Sequence, residues 1–230
     1  MNNFLENSLF FGVFISLIAY YIGILIKKKF KLTIFNPLLV SIILIIIFLL
    51  VFRIDYSTYE FGAKYISYLL TPATVALAIP LYEQLALLKK HFLAIIVGIT
   101  SGVLTSLTSV FLLAKIFNFD HTQYVTFLPK SITTAIGMQV SSELNGYTTI
   151  AVAVIIITGI LGNIISTMVF KIFGIKNSIA KGIALGTSAH AIGTAKALEL
   201  GEIEGAMSSL SLAVSGILTV ILASFYALLI

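Results

Sequence analysis

The chain has 230 residues, 59% of them hydrophobic and 10% charged, with a formal net charge of +5. A soluble domain carries about 25% charged residues, so this composition, with its mean hydropathy of +1.11, specifies an integral membrane protein. The absence of cysteine excludes disulfides and thiolate metal sites, and the basic excess reads through its placement in short loops rather than as a nucleic-acid footprint.

The first apolar segment, roughly 8–26, has Glu6 before it and Lys27, Lys28, Lys29 and Lys31 after it. A cleavable signal carries its positive charge in front. This order predicts a retained helix with its N-terminus outside and the lysines in the cytoplasm. Asn36-Pro37 suits the first turn of a second helix, continuing to about Phe52. Arg53, Asp55, Glu60 and Lys64 read as a short outer loop. A weaker element over 62–88 is interrupted by Pro72 and Pro80 and carries Glu83. Lys89, Lys90 and His91 then return the chain to the cytoplasm.

A helix over 92–117 contains Gly98-x-x-x-Gly102, a close-packing spacing, and Asn118, Asp120 and His121 mark an outer loop. Residues 128–144 are too polar for an ordinary lipid-facing span. The next helix covers 147–172, with Lys171, Lys176 and Lys181 on the cytoplasmic side. Residues 182–203 are rich in Gly, Ala, Ser and Thr, with His190 and Lys196 among them. Small residues allow backbones to approach and helices to break, and ionisable groups at membrane depth need a reason. This stretch reads as a discontinuous segment lining a polar cavity, ending in the water-facing run Glu199, Glu202 and Glu204. A last helix covers 205–229.

The expected fold is an all-α polytopic membrane protein with about six to eight hydrophobic segments, two of them discontinuous or re-entrant. Residues 1–57 form an N-terminal pair of transmembrane helices, and 58–230 a transport core. Within that core Ser101-Gly102-Val103-Leu104, Thr158-Gly159-Ile160-Leu161 and Ser215-Gly216-Ile217-Leu218 repeat with their glycines 57 residues apart. Pro72 and Pro129 keep the same offset, and Ala191-Ile192-Gly193 matches Ala135-Ile136-Gly137 with a slip of one. The unit is a broken polar segment followed by a full helix. Lysine placement makes the second and third units inverted copies whose broken segments approach the midplane from opposite sides, or else both segments span fully.

Pro129-Lys130-Ser131 reads as a helix start, followed by Thr133 and Thr134. Free amides at a helix start suit a carboxylate, and Lys130 adds a full charge; the alternative is a lysine snorkelling to the headgroups. Thr187, Ser188 and Thr194, flanked by Gly186 and Gly193, either bind a ligand or satisfy neighbouring helices. His190 either carries a coupling proton or is a buried neutral ring held by a helix carbonyl. Glu143 is a proton site or an interfacial charge, and Lys196 pairs with Glu199 one turn on. Ser188 and His190 do not face each other on a helix. No metal-ligand spacing or phosphate-binding glycine loop is present, so neither an enzyme, a metal site, a cofactor nor ATP-driven pumping is expected.

LPKSITTAIGMQVSSELNG at 128–146 and AKGIALGTSAHAIGTAKALELGEIEGAMSSL at 180–210 resemble the LrgB/CidB family of membrane proteins, the likeness running from about residue 60 to the end. Lys130, Ser131, Thr133, Thr134, Glu143, Gly186, Thr187, His190, Gly193, Thr194, Ala195, Glu199, Gly201 and Glu204 fall on the family pattern. Ala135 stands where proline is frequent and Gln139 where glutamate is usual. The resemblance implies an antiholin-like or holin-like role in bacterial autolysis with a small LrgA/CidA-type membrane partner. It equally implies movement of small monocarboxylates, since a plastid relative is similar to a glycolate/glycerate carrier and bacterial members are associated with pyruvate. The combined expectation is a secondary transporter or channel for a small carboxylate anion in the bacterial inner membrane, proton-coupled through His190 or Glu143, and able to form homo-oligomers. The alternative is a non-transporting regulator of murein hydrolase export.

Overall fold

The computed structural model describes residues 8–30, 35–76 and 78–230, so Glu6 and Lys31 lie outside it. All secondary structure among the described residues is helical, and four helices are long and apolar enough to cross a membrane. The chain divides into two compact units, 1–76 and 77–230. The second unit therefore begins later than the 57/58 division expected from sequence.

The first unit holds α1 (Phe11–Phe30), α2 (Pro37–Phe52), α3 (Tyr56–Ser67) and α4 (Leu70–Ala76). Lys27, Lys28 and Lys29 form the last turn of α1 rather than a loop, where positive charge complements the helix dipole. Asn36 caps α2, its side-chain oxygen accepting from the amides of Leu38 and Leu39, with Pro37 in the first turn as expected. The expected outer loop of Arg53, Asp55, Glu60 and Lys64 is largely helical, since Glu60 and Lys64 lie within α3. This helix packs closely on α1: Gly62 of α3 crosses Gly12 of α1, and Ser16 of α1 bonds the Tyr59 hydroxyl at 2.8 Å.

The second unit is built on three long helices, α7 (Phe92–Ile116), α10 (Thr148–Ile172) and α12 (Glu202–Ala227). Before them the weak proline-containing element resolves into two short helices, α5 (Ala78–Glu83) and α6 (Leu85–Lys90), of which α5 packs along α12. Between α7 and α10 lie α8 (His121–Phe127) and α9 (Thr134–Glu143), and between α10 and α12 lies α11 (Ser178–Leu200). Sequence reading placed the first broken segment at 128–144. Its inbound arm is α8, which starts at His121 under a capping box made by Asp120 and Gln123. That short polar helix resembles an outer loop until its cap is recognised.

Two hairpins result. In α11 the backbone breaks at His190 (φ 43, ψ −134), and the chain reverses. A side chain on Gly193 would collide with the Leu185 carbonyl eight residues earlier, which an uninterrupted helix would hold about 12 Å away along its axis. The arms run in opposite directions along α12. Gly182 meets Glu204 and Gly186 meets Ser208, a parallel course, whereas Leu198 meets Gly205 and Thr194 bonds Ser208 at 2.9 Å on the way back. The segment is a hairpin of two helical arms. The earlier hairpin repeats the device: a side chain on Gly137 would lie 3.4 Å from the carbonyl of Pro129, again eight residues back.

The hairpins come from opposite ends of this unit. At one end His121 bonds the Ile230 carbonyl (2.8 Å), Tyr124 bonds the Tyr226 carbonyl (2.9 Å), and the Tyr147 amide bonds Thr126 (2.8 Å). At the other end Lys171, Lys176, Lys181 and Leu200 surround one pocket. The repeated glycines near the middle of the long helices receive the hairpins: Gly102 faces Thr187, Gly159 faces the His190 ring, and Gly216 faces Ile136.

This packing sets a mutational contrast. A methyl on Gly186 would collide with the Ser208 carbonyl, whereas one on Gly98 would sit 3.4 Å from Ile183, an ordinary contact. Overpacking typically costs about 1–3 kcal/mol. Gly186→Ala should therefore lower the thermal unfolding temperature in detergent while Gly98→Ala leaves it nearly unchanged, as read by thermal challenge followed by size-exclusion chromatography.

Candidate functional site

Along α7 the residues Ala94, Gly98, Ser101, Gly102, Thr105, Ser106 and Ser109 recur at helical spacing and form one wall of a cavity of about 630 Å³. The first hairpin supplies Lys130 and Ser131 from the break between α8 and α9, and the inbound arm of α11 supplies Ala180, Ile183, Ala184, Thr187 and Ser188. Residues from both broken segments thus line one open cavity, whose surface is mainly apolar with hydroxyls set into it. The segments meet across α7.

Its hydroxyls fall into two chemical classes. Ser101 donates to the Gly98 carbonyl, Thr105 to Ser101, Ser109 to Ser106, Thr187 to Ile183 and Ser188 to Ala184, all at 2.6–2.8 Å. Such back-bonding uses the hydroxyl proton on the helix's own carbonyl, leaving lone pairs toward the cavity. At the far end Ser106 and Ser131 bond each other at 2.9 Å, and the Lys130 ammonium donates to Ser131 at 3.2 Å. Lys130 makes no ion pair among the described residues. The cavity therefore has an accepting wall and a cationic, donating end.

The expected helix start at Pro129-Lys130-Ser131 is corrected: α9 begins at Thr134 with Thr133 as its N-cap, and Lys130 and Ser131 lie in the turn before it. Pro129 suits this turn as well as it suits a first helical turn. Thr133 and Thr134 do not line the cavity, and the Thr133 side chain makes no cap bond. His190 is 2% exposed, and its Nε2 lies 2.9 Å from the Ile155 carbonyl of α10, so in this tautomer the ring donates. This is the carbonyl-held arrangement weighed against a proton-carrying role. Thr194 donates to the His190 carbonyl at 3.0 Å, and Gly193 is the fold-back contact. Glu143 is exposed at the end of α9. Lys196 pairs with Glu199 at 2.9 Å, as its i+3 spacing required.

Sequence reading passed over Asn163. It is buried in α10, and its amide donates to the Ile192 carbonyl at 3.2 Å, just past the break. The one asparagine in a mainly apolar 25-residue span, flanked by Gly159, Gly162 and Ser166, was the available signal.

The model of the LrgB-like family matches residues 16–229. The chain belongs to the LrgB-like family. It is 38% identical over 222 residues to the holin-like protein CidB of Staphylococcus epidermidis, covering 96% of each chain. It is 40% identical over 213 residues to the antiholin-like protein LrgB of Bacillus cereus, covering 92% of this chain and 93% of the relative. No solved structure matches the chain.

The shared cavity can be tested without background, since the chain has no cysteine of its own. Ser106 and Ser131 hold their oxygens 2.9 Å apart, within reach of a disulfide, whose Cβ atoms sit about 3.5–4.5 Å apart. A Ser106→Cys, Ser131→Cys double variant should form an intramolecular disulfide on mild oxidation, read as a reductant-sensitive gel shift that neither single variant gives.

Proposed function

We propose that this LrgB-like protein is a secondary transporter or channel for small monocarboxylates. The observation that carries the reading is Lys130: a charged group among apolar helices, bonded only to Ser131 and without a fixed counter-ion among the described residues. A lysine at the centre of a membrane helix costs about 2.5–3.5 kcal/mol on insertion scales. A mobile anion repays that cost where no resident carboxylate does. The accepting wall adds a selectivity argument. A carboxylate on Lys130 leaves the back-bonded oxygens of Ser101, Thr105, Thr187 and Ser188 to accept from a substrate hydroxyl, which favours glycolate- and glycerate-like acids over pyruvate.

Hairpins entering from opposite ends, seated on glycines of one repeated motif, support an inverted-repeat transporter core, in which broken helices meet at a central site. Lysine placement supports residence in the bacterial inner membrane with the 89–91 and 171–181 ends cytoplasmic and the N-terminus outside. For coupling, His190 occupies the hinge. Protonation converts its ring from one donor to two, and Nε2 can remain on the Ile155 carbonyl. Thr133 and Thr134 belong to this reading as the turn that carries Lys130 rather than as ligands.

The second reading rests on the relatives' names, holin-like and antiholin-like: a non-transporting regulator of autolysis working with a small LrgA/CidA-type partner. Flux separates the two. Purified protein in liposomes should take up labelled C2–C4 carboxylates saturably, hydroxy acids ahead of their deoxy analogues. Lys130→Gln should weaken uptake about 10- to 100-fold, the worth of a charge-assisted hydrogen bond, with unfolding temperature preserved. His190→Ala should flatten any pH dependence of uptake that the wild type shows. Fluxes equal to those of empty liposomes would leave the regulator.

A further inference from the structure

Where α10 ends and α11 begins, a second pocket of about 450 Å³ gathers Lys171, Lys176 and Lys181 around one opening. We infer that this pocket holds the phosphate headgroup of an anionic phospholipid. No carboxylate lines it, and none of the three ammonium groups has an ion-pair partner among the described residues. Lysines that served only to orient insertion would spread into water to relieve their repulsion. All three line one pocket whose remaining lining is uncharged, a placement that an anion would stabilise.

The rest of the lining distinguishes a lipid from a soluble anion. Phe170, Ile175 and Leu200 form an apolar wall beside the lysines, and the adjoining Ile172 and Phe173 are 66% and 74% exposed. A free phosphate has no use for that carbon surface, whereas a glycerol backbone and the first methylenes of an acyl chain do. The pocket also lies at the terminus of a 25-residue apolar span, the depth at which headgroups sit. Three ammonium groups favour a lipid with two phosphates over one with a single phosphate.

The site has a mechanical consequence. Lys171 belongs to α10, Lys181 to the inbound arm of the second hairpin, and Leu200 to the end of its returning arm. A bound headgroup ties both legs of the hairpin to α10 and resists their separation. This inference does not depend on the protein being a transporter.

The experiment titrates the full-length protein in detergent with diphosphatidylglycerol, phosphatidylglycerol and phosphatidylcholine, reading bound lipid by native mass spectrometry. Affinity should fall in that order. Each lysine near an anionic headgroup is worth about fivefold. The Lys171→Gln, Lys176→Gln, Lys181→Gln variant should therefore bind diphosphatidylglycerol on the order of a hundredfold more weakly. The triple arginine variant should retain binding, as should a control losing equal charge elsewhere (Lys28→Gln, Lys29→Gln, Lys89→Gln). A glutamine variant that elutes as folded protein and binds normally would overturn the proposal, as would equal retention of phosphatidylcholine. Displacement of the lipid by an equal concentration of inorganic phosphate would make this a soluble-anion site and likewise overturn it.

Discussion

The second unit depends on a single break in a helix. At membrane depth every backbone amide and carbonyl must find a partner within the protein, and irregular backbone survives only where it is buried or lines a cavity. His190 takes positive φ, a conformation that costs a non-glycine residue about 1–3 kcal/mol. The surrounding bonds answer both demands. Thr194 satisfies the His190 carbonyl, Asn163 satisfies that of Ile192, and the His190 ring reaches across to Ile155. An unbroken α11 would be a straight 23-residue helix, and α12 would then begin at the opposite end of the unit.

Small side chains make the fold-back sterically feasible. With Gly182 and Gly186 on its inbound arm, α11 lies directly on the backbone of α12, and Gly193 lets the returning arm touch the inbound one. In lipid, where burying apolar surface gains little between helices, such close approach supplies the dispersion energy of association. The same economy explains the repeated glycines. Gly102, Gly159 and Gly216 stand at equal sequence intervals, and each meets a hairpin side chain on its long helix. A motif that could have been chance recurrence in an apolar chain is a set of three docking seats.

Much of this was legible because the patterns involved are local. Composition set the class, the Gly/Ala/Ser/Thr run marked the discontinuous segment, and the Lys196–Glu199 spacing specified its ion pair. Three features were not legible, for separable reasons. Residues 56–67 are too polar to register as a membrane element, and the glycine contact on which they pack, Gly12, lies more than forty residues away. The inbound arm α8 is only seven residues long and is specified by its cap rather than by periodicity. The division of the candidate residues, with Lys130, Ser131, Thr187 and Ser188 at the cavity and His190 and Thr194 in the hinge, follows from helix rotation about the break. One-dimensional spacing carries no information about that rotation.

Separating hinge from cavity constrains how the unit can move. The hinge residues bond to α10 and α12, while the cavity residues face α7. Sliding of α7 against the hairpin would reshape the cavity without disturbing a single hinge bond. Toward the α11 hairpin, Gly98 and Gly102 of α7 meet the Ile183 and Thr187 side chains, and the Ser106–Ser131 bond is the one hydrogen bond described between α7 and the first hairpin's turn, while the opposite face of α7 is buried in the core with Tyr124, Leu128 and Met207. The α11–α12 interface, by contrast, is backbone against side-chain root at Gly182 and Gly186 and cannot shift without collision. Breaking the Ser106–Ser131 bond would free a hydroxyl proton beside the Lys130 ammonium. Under the proposed carboxylate transport, an arriving anion would accept from both, so its binding would compete directly with the contact that joins α7 to the first hairpin.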